Sequence, residues 1–272
     1  MIEVLIIALL LAFILWYMIH PGKPTKEQRE MVFGGNYAHR GLHSMDKIIP
    51  ENSLSAFKLA VQKGYGIELD VTLSKDGKVM VFHDDTLDRV CGVRGNIEDY
   101  TFDKLREMRL CNTEEKIPLL EEVLQAVDGK SPLIVEIKTG KRNDELCEKT
   151  LKILESYSGP YCVESFNPLI VTWFKKNAPK IMRGQLAMNR KEYKDLPKWM
   201  TLAMASGFTN VLARPHFIAY GTSPKSIFIK MAERLGAIKV VWTVNNSHDF
   251  KEFEKSNDAV IFEYYEPKPR YK

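Results

Sequence analysis

The chain has 272 residues, with 39 Lys+Arg against 35 Asp+Glu and a formal net charge of +4. Hydrophobic residues make up 45% and charged residues 27%, a globular balance that excludes a fully disordered, collagen-like or coiled-coil chain. The pI of about 8.7 is only mildly basic and no long Lys/Arg run occurs, so nothing supports nucleic-acid binding.

From Val4 to Ile19 every residue is apolar or aromatic, VLIIALLLAFILWYMI. As a helix this run covers about 24 Å, which Met1, Ile2 and snorkelling flanks extend toward the ~30 Å hydrocarbon core. Trp16 and Tyr17 stand where an interfacial aromatic pair belongs. A cleaved signal peptide lacks support: there is no basic n-region, and nothing like A-x-A precedes Pro21-Gly22. No polar residue interrupts the run, which argues against a core helix. Residues 1–20 therefore read as a single-pass membrane anchor. Lys23, Lys26 and Arg29 follow it and only Glu3 precedes it, so the positive-inside rule puts the globular part on the cytoplasmic side. Cys91, Cys111, Cys147 and Cys162 form no C-x-x-C pair, and reduced, buried thiols are the simplest expectation.

Residues 21–34 read as a polar linker, and 35–272 as one globular unit. Strands are predicted at 36–40, 66–71, 79–83, 133–138, 161–165, 181–186, 208–213, 239–244 and 259–262. Helices are predicted at 53–63, 119–127, 144–157, 169–177, 191–206, 224–235 and 247–255. The alternation predicts βαβ units and a parallel sheet. About eight repeats fit an α/β fold of the closed (β/α)8 TIM-type barrel class. An open doubly wound sheet is the runner-up, but no G-x-G-x-x-G follows the first strand. Residues 84–118 are too long for an ordinary connection and read as a small insertion after the second strand, over the site.

Charged residues then mark strand ends. Glu68 and Asp70 are two apart on a strand and share a face, as do Glu136 and Lys138. Strands of a parallel barrel read apolar on both faces, so these charges are anomalous. Internal salt bridges would account for them. So would a divalent cation held by Glu68, Asp70 and Glu136, and an all-oxygen set suits Mg²⁺ or Ca²⁺. His39 and His83 end extended runs beside them and fit acid/base work at neutral pH. Arg40 and Lys138 offer fixed positive charge to a phosphoryl group. His20, His43, His216 and His248 lack a surrounding pattern, His43 being the closest to an exception.

In order, AHRG, IPENS, IELDV, KDGKVMVFHDD, L-x-R and VEIK, followed by ESFNP, WTVN and DAVI, resemble the glycerophosphodiester phosphodiesterase family over residues 36–262. The resemblance implies a (β/α)8 barrel that hydrolyses glycerophosphodiesters to glycerol 3-phosphate and an alcohol. It implies His39 and His83 as the acid/base pair, Glu68, Asp70 and Glu136 as metal ligands, and one divalent cation, Mg²⁺ or Ca²⁺, as cofactor. Arg40 and Lys138 match phosphate contacts, Glu51 a supporting carboxylate, and Phe166 and Trp242 the glycerol or leaving-group side. Ser53 replaces the usual Thr. The last strand runs into Glu263-Tyr264-Tyr265-Glu266-Pro267 where the family has a threonine, a polar residue and a proline, a change expected at the rim and in substrate choice. The alternatives are a barrel that cleaves a lipid phosphodiester, as a lysophospholipase D does, and a non-catalytic tethered binding module, against which every expected position is filled.

Overall fold

The computed structural model describes residues 1–32, 34–194 and 196–271. Its strands are β1 (Asn36–Ala38), β2 (Gly66–Leu73), β3 (Val79–Val81), β4 (Leu133–Ile137), β5 (Tyr161–Ser165), β6 (Arg183–Ala187), β7 (Phe217–Gly221), β8 (Ile238–Val244) and β9 (Ala259–Phe262). The helices are α1 (Ile2–Ile19), α2 (Lys26–Val32), α3 (Leu54–Lys63), α4 (Asp88–Cys91), α5 (Phe102–Glu107), α6 (Leu120–Val127), α7 (Asn143–Leu154), α8 (Pro168–Asn177), α9 (Lys198–Ala205), α10 (Asn210–Ala213), α11 (Ile227–Arg234) and α12 (Phe250–Ser256).

Parallel pairing runs β1-β2-β4-β5-β6-β7-β8-β9, and β9 pairs back onto β1, so eight strands close into a (β/α)8 barrel. β3 stands outside the ring as an antiparallel hairpin partner of β2, with Val71 opposite Val81. Alternation along each strand divides the core. Ile67, Leu69, Val71, Val135 and Ile137 pack outward beneath the helices. Tyr37, Ile134, Cys162, Met182, Phe217 and Ile238 fill the lower barrel interior. Inward positions nearer the C-terminal ends of β2, β4 and β5 carry Asp70, Glu136 and Glu164, which are register neighbours.

The strand expected at 208–213 is a correction. Its sequence, Phe208-Thr209-Asn210-Val211-Leu212-Ala213, forms the helical turn of α10, ended by Arg214 in the left-handed region at φ 43°. The seventh barrel strand is instead Phe217–Gly221, which pairs with β6 and β8. Inside the barrel Phe217 fills the space left by Gly184, so burial rather than local propensity selects the run. The helix expected over 191–206 starts only at Lys198, after Pro197. Ser53 Oγ accepts from the Ala56 amide at 3.2 Å, so the hydroxyl that replaces threonine caps α3.

Residues 84–118 hold α4, a short 3-10 turn (Ile97–Asp99) and α5 around their own apolar cluster, with Met80, Phe82, Leu87 and Leu105 buried. The segment 21–34 is more than a linker, because α2 crosses the floor of the barrel. Gln28 Nε2 donates to the Lys180 carbonyl at 2.6 Å, and the Gly34 amide donates to the Asp258 carbonyl. At its C-terminal end α1 is fixed to the body: Ile19 is buried with Ile229 and Ala232, and Asn210 Nδ2 donates to the Ile19 carbonyl at 3.0 Å. From Met1 to Ile14 the side chains of α1 are exposed. The helix is long and apolar enough to cross a membrane. The four cysteines carry no disulfide, and Cys147 and Cys162 are buried while Cys91 and Cys111 are half-buried.

Candidate active site

Every site residue picked out in the sequence meets at the C-terminal mouth of the barrel. His39 and Arg40 follow β1, Glu51 precedes α3, and Glu68 and Asp70 project from β2. His83 follows β3, Glu136 and Lys138 sit at the end of β4, Phe166 follows β5, and Trp242 lies on β8. His39, His83, Glu68, Glu136, Phe166 and Trp242 share the wall of a cavity of about 150 Å³. An adjoining cavity of about 480 Å³ shares His83, Glu136 and Phe166 and adds Lys138.

Backbone conformation aims the groups. Arg40 and Asn52 both stand at φ 53°, in the left-handed region that costs a non-glycine residue about 1 kcal/mol or more. At that angle the Arg40 amide donates to Glu68 Oε2 at 2.9 Å, and the Asn52 amide donates to the Arg40 carbonyl. Gly41, at φ 78°, abuts Ala56 so closely that a Cβ would lie 2.9 Å from its backbone. The H-R-G spacing is therefore steric as well as chemical.

Glu68, Asp70 and Glu136 are buried and can each bring one oxygen within 4.8 Å of the others. Burial, with Asp70, Glu136 and Glu164 nearby, pushes the Glu68 carboxyl well above its usual range. Glu136 is also raised by burial, against Lys138. On Asp70 burial is outweighed by Lys138, His83, Arg40 and the 2.8 Å bond from Asn52 Nδ2, which hold it far below the usual range. Lys138 Nζ stands 2.9 Å from Glu136 Oε1 and 3.5 Å from Asp70 Oδ1. The internal ion pairs expected from the sequence are therefore present, but they do not saturate the cluster. Asp70 Oδ1 is buried with no hydrogen bond, and so is Glu164 Oε2. Glu68, Asp70 and Glu136, with one Asp70 oxygen left without a hydrogen bond, form a compact carboxylate group that could hold a metal ion.

Both histidines are oriented by carboxylates. His39 Nδ1–H donates to Glu263 Oε2 at 3.0 Å, which leaves Nε2 facing Glu68 Oε2 at 4.0 Å. His83 Nδ1–H donates to Asp84 Oδ1 at 2.6 Å. Burial and then the Arg40 charge lower His39 to about 4, despite Glu263. Asp84 and Glu51 both bind Arg89: its Nε reaches Asp84 at 2.6 Å and its Nη1 reaches Glu51 at 2.6 Å. Glu51 also takes a 2.6 Å bond from Arg40, so a chain of alternating charge links the two histidine sides of the mouth. Against burial, these arginines hold Glu51 at about 2.

Three of these partners were absent from the residues picked out in the sequence. Asp84 and Arg89 lie in the H-D and L-x-R motifs, which were the available signal. Glu263 lies where the last strand departs from the family pattern, and the rim was expected to change there. It reaches past the rim to His39, and His43 Nε2 lies 3.7 Å from its Oε2. Phe166 and Trp242 meet edge to face at 5.4 Å, and Trp242 Nε1 donates to the Ala219 carbonyl at 2.9 Å.

A closed parallel barrel with two oriented histidines and a carboxylate cluster in its mouth has the make-up of a barrel enzyme that works by acid/base chemistry. The sequence profile of the glycerophosphoryl diester phosphodiesterase family matches residues 39–265, and the chain belongs to that family of phosphoric diester hydrolases. It is 36% identical over 160 residues to a glycerophosphodiester phosphodiesterase of Caldanaerobacter subterraneus, an alignment covering 55% of this chain and 65% of that protein. It is 24% identical to the lysophospholipase D GDPD1 of Rattus norvegicus, over 90% of this chain and 88% of that one. The fold superposes with a TM-score of 0.70 on an Oleispira antarctica phosphodiesterase solved with the product sn-glycerol-3-phosphate. That match is at 24% identity and covers 85% of this chain and 93% of the other.

Proposed function

We propose that the chain hydrolyses glycerophosphodiesters to glycerol 3-phosphate and an alcohol, with His39 and His83 as the acid/base pair. The observation that carries this reading is the convergence of two carboxylate-oriented imidazoles on one small cavity beside Glu68, Asp70 and Glu136. With a pKa of about 4, His39 is unprotonated at neutral pH, and Glu263 keeps the proton on Nδ1, so Nε2 is free to accept one from the attacking group, either water or the neighbouring glycerol hydroxyl, the latter giving a cyclic phosphate that water then opens. His83, held by Asp84, lines the same cavity and in its protonated form donates its own proton to the leaving alkoxide. Lys138 and Arg40 present positive charge to the phosphoryl oxygens, with Glu51 fixing Arg40. Phe166 and Trp242 offer the apolar wall for the glycerol or leaving-group side. Glu68, Asp70 and Glu136 would hold one divalent cation, Mg²⁺ or Ca²⁺, which supplies Lewis-acid stabilisation of charge on the phosphoryl oxygens when bound.

In this reading residues 1–20 are a retained anchor, 21–34 join it to the barrel, and 35–272 form the catalytic unit on the cytoplasmic side. The exposed apolar surface of α1 and the basic residues after it support that arrangement. The test incubates the full chain in detergent with glycerophosphocholine, glycerophosphoethanolamine and a lysophospholipid, each with Mg²⁺, Ca²⁺ or chelator. Glycerol 3-phosphate released only with metal is the expected result. Lysophosphatidate as the sole product would replace this substrate class by a lipid phosphodiester, and no product from any of them would remove the hydrolase reading.

A further inference from the structure

We propose that the mouth face of the barrel is a docking surface for an anionic lipid bilayer, centred on α9 and the loop before it. Exposed apolar side chains are distributed unevenly. Beyond Met1 and α1, every exposed large apolar side chain among the described residues, except Leu212 on α10, lies in the loop or first helix that follows the C-terminal end of a barrel strand. The densest group comes after β6, with Trp199 at 69% and Leu202 at 45% exposure, and Ile227 joins it from the start of α11 at 67%. A large apolar group concentrated on one face of a soluble body marks a partner surface.

The inner side of α9 is already used. Met204 and Ala205 pack with Tyr193, Met188 and Phe166, the last of which lines the catalytic cavity. Ser226 Oγ donates to the Ala205 carbonyl at 3.0 Å, which ties the end of α9 to the start of α11. The outward Trp199 and Leu202 therefore sit on a fixed rim, with no protein surface over them.

Charge and position select a membrane as the occupant. Between 190 and 198 the sequence carries Arg190, Lys191, Lys194 and Lys198 against Glu192 and Asp195, and all four basic side chains are exposed. Basic side chains interleaved with a Trp and aliphatic residues suit a headgroup layer with acyl chains just beneath. The tether lies beside this rim. Leu15 and Ile19 of α1 share one apolar cluster with Phe208, three residues beyond α9, and with Phe228, the neighbour of Ile227. A bilayer holding α1 thus begins next to the exposed group. Docking there would turn the mouth toward headgroups, so that a phosphodiester borne by a lipid reaches His39 and His83 without crossing open water. The proposal rests on α1 being a retained anchor and does not depend on which phosphodiester is cleaved.

The test reconstitutes the full chain in phosphatidylcholine–phosphatidylglycerol vesicles with brominated acyl chains and reads tryptophan quenching. Trp199 is expected to contribute a quenched component that disappears in Trp199→Phe, while the component from Trp16 in α1 remains. Replacing phosphatidylglycerol by phosphatidylcholine, or making Lys191→Gln with Lys194→Gln and Lys198→Gln, should reduce the Trp199 component by about half or more. Amide exchange over 190–202 should slow in the same vesicles. Loss of the Trp16 component would remove the anchor, and the proposal with it. Quenching that Trp199→Phe leaves unchanged, or exchange over 190–202 that is the same in anionic and zwitterionic vesicles, overturns the proposal.

Discussion

The two ends of the barrel each hold a histidine beside an arginine, and they differ in what surrounds the pair. At the mouth His39 stands next to Arg40. At the floor His216 takes the Arg183 amide on Nδ1 at 3.4 Å. Burial first, and the neighbouring guanidinium second, lower both imidazoles to about 4. The difference lies in what surrounds them. Arg183 donates to the carbonyls of Ala213 and Arg214, so its charge is solvated by neutral dipoles. Arg40 faces Glu51, Asp70 and Glu68, and buried carboxylate oxygens on Asp70 and Glu164 are left without hydrogen bonds. A lowered histidine pKa therefore does not identify a site. Buried carboxylates that converge on a cavity and keep oxygens without hydrogen bonds mark a candidate one.

The largest expected effects break this contrast at the mouth. His39→Ala and His83→Ala should each lower kcat by roughly 10²–10⁴-fold without moving the thermal midpoint. Near-normal turnover in either variant removes that residue from the acid/base pair. Glu136→Gln should raise the metal concentration needed for half-maximal activity by about tenfold or more, since even outer partners of a metal site cost that much. An unchanged metal titration takes Glu136 out of the ligand set. Glu263→Gln tests the carboxylate that holds the His39 proton on Nδ1. It should lower kcat by roughly tenfold with KM little changed, because substrate contacts stay in place. A change confined to KM would return Glu263 to the rim role first expected of it.

Much of the mouth was legible because strand periodicity is local. Two-residue spacing in β2 and β4 put Glu68 with Asp70 and Glu136 with Lys138 on common faces, and H-R-G and H-D fell at strand ends. The missing parts are long-range. The His39–Glu263 bond spans 224 residues and the Arg89–Glu51 bond 38, distances over which no spacing rule operates. The seventh strand was misplaced for a similar reason. Phe208–Ala213 holds enough apolar residues to read as extended, and only pairing with β6 and β8 selects Phe217–Gly221. The segment 21–34 read as a polar linker because Gln28 looks solvent-seeking until its partner, the Lys180 carbonyl, is known.

The smallest effect sharpens the contrast from the floor. His216 has no role in the proposed chemistry, so its lowered pKa should appear only in stability. A histidine with a pKa near 4 when folded and near 6.5 when unfolded binds protons more readily in the unfolded chain throughout that interval. Its stabilising share is therefore complete above pH 6.5 and is lost as the pH falls toward 4. From pH 7 to 5.5 the loss is roughly 1 kcal/mol. His39 and the carboxylates add their own pH dependence, so the quantity to read is the difference between the full chain and His216→Asn in denaturant unfolding at the two pH values. The variant should lose about 1 kcal/mol less than the parent over that range and keep its turnover at neutral pH. Parallel losses in the two proteins would mean that the His216 ring is solvated in the folded state. The packing of that ring against Gly22, where α1 hands over to the barrel floor, argues against this.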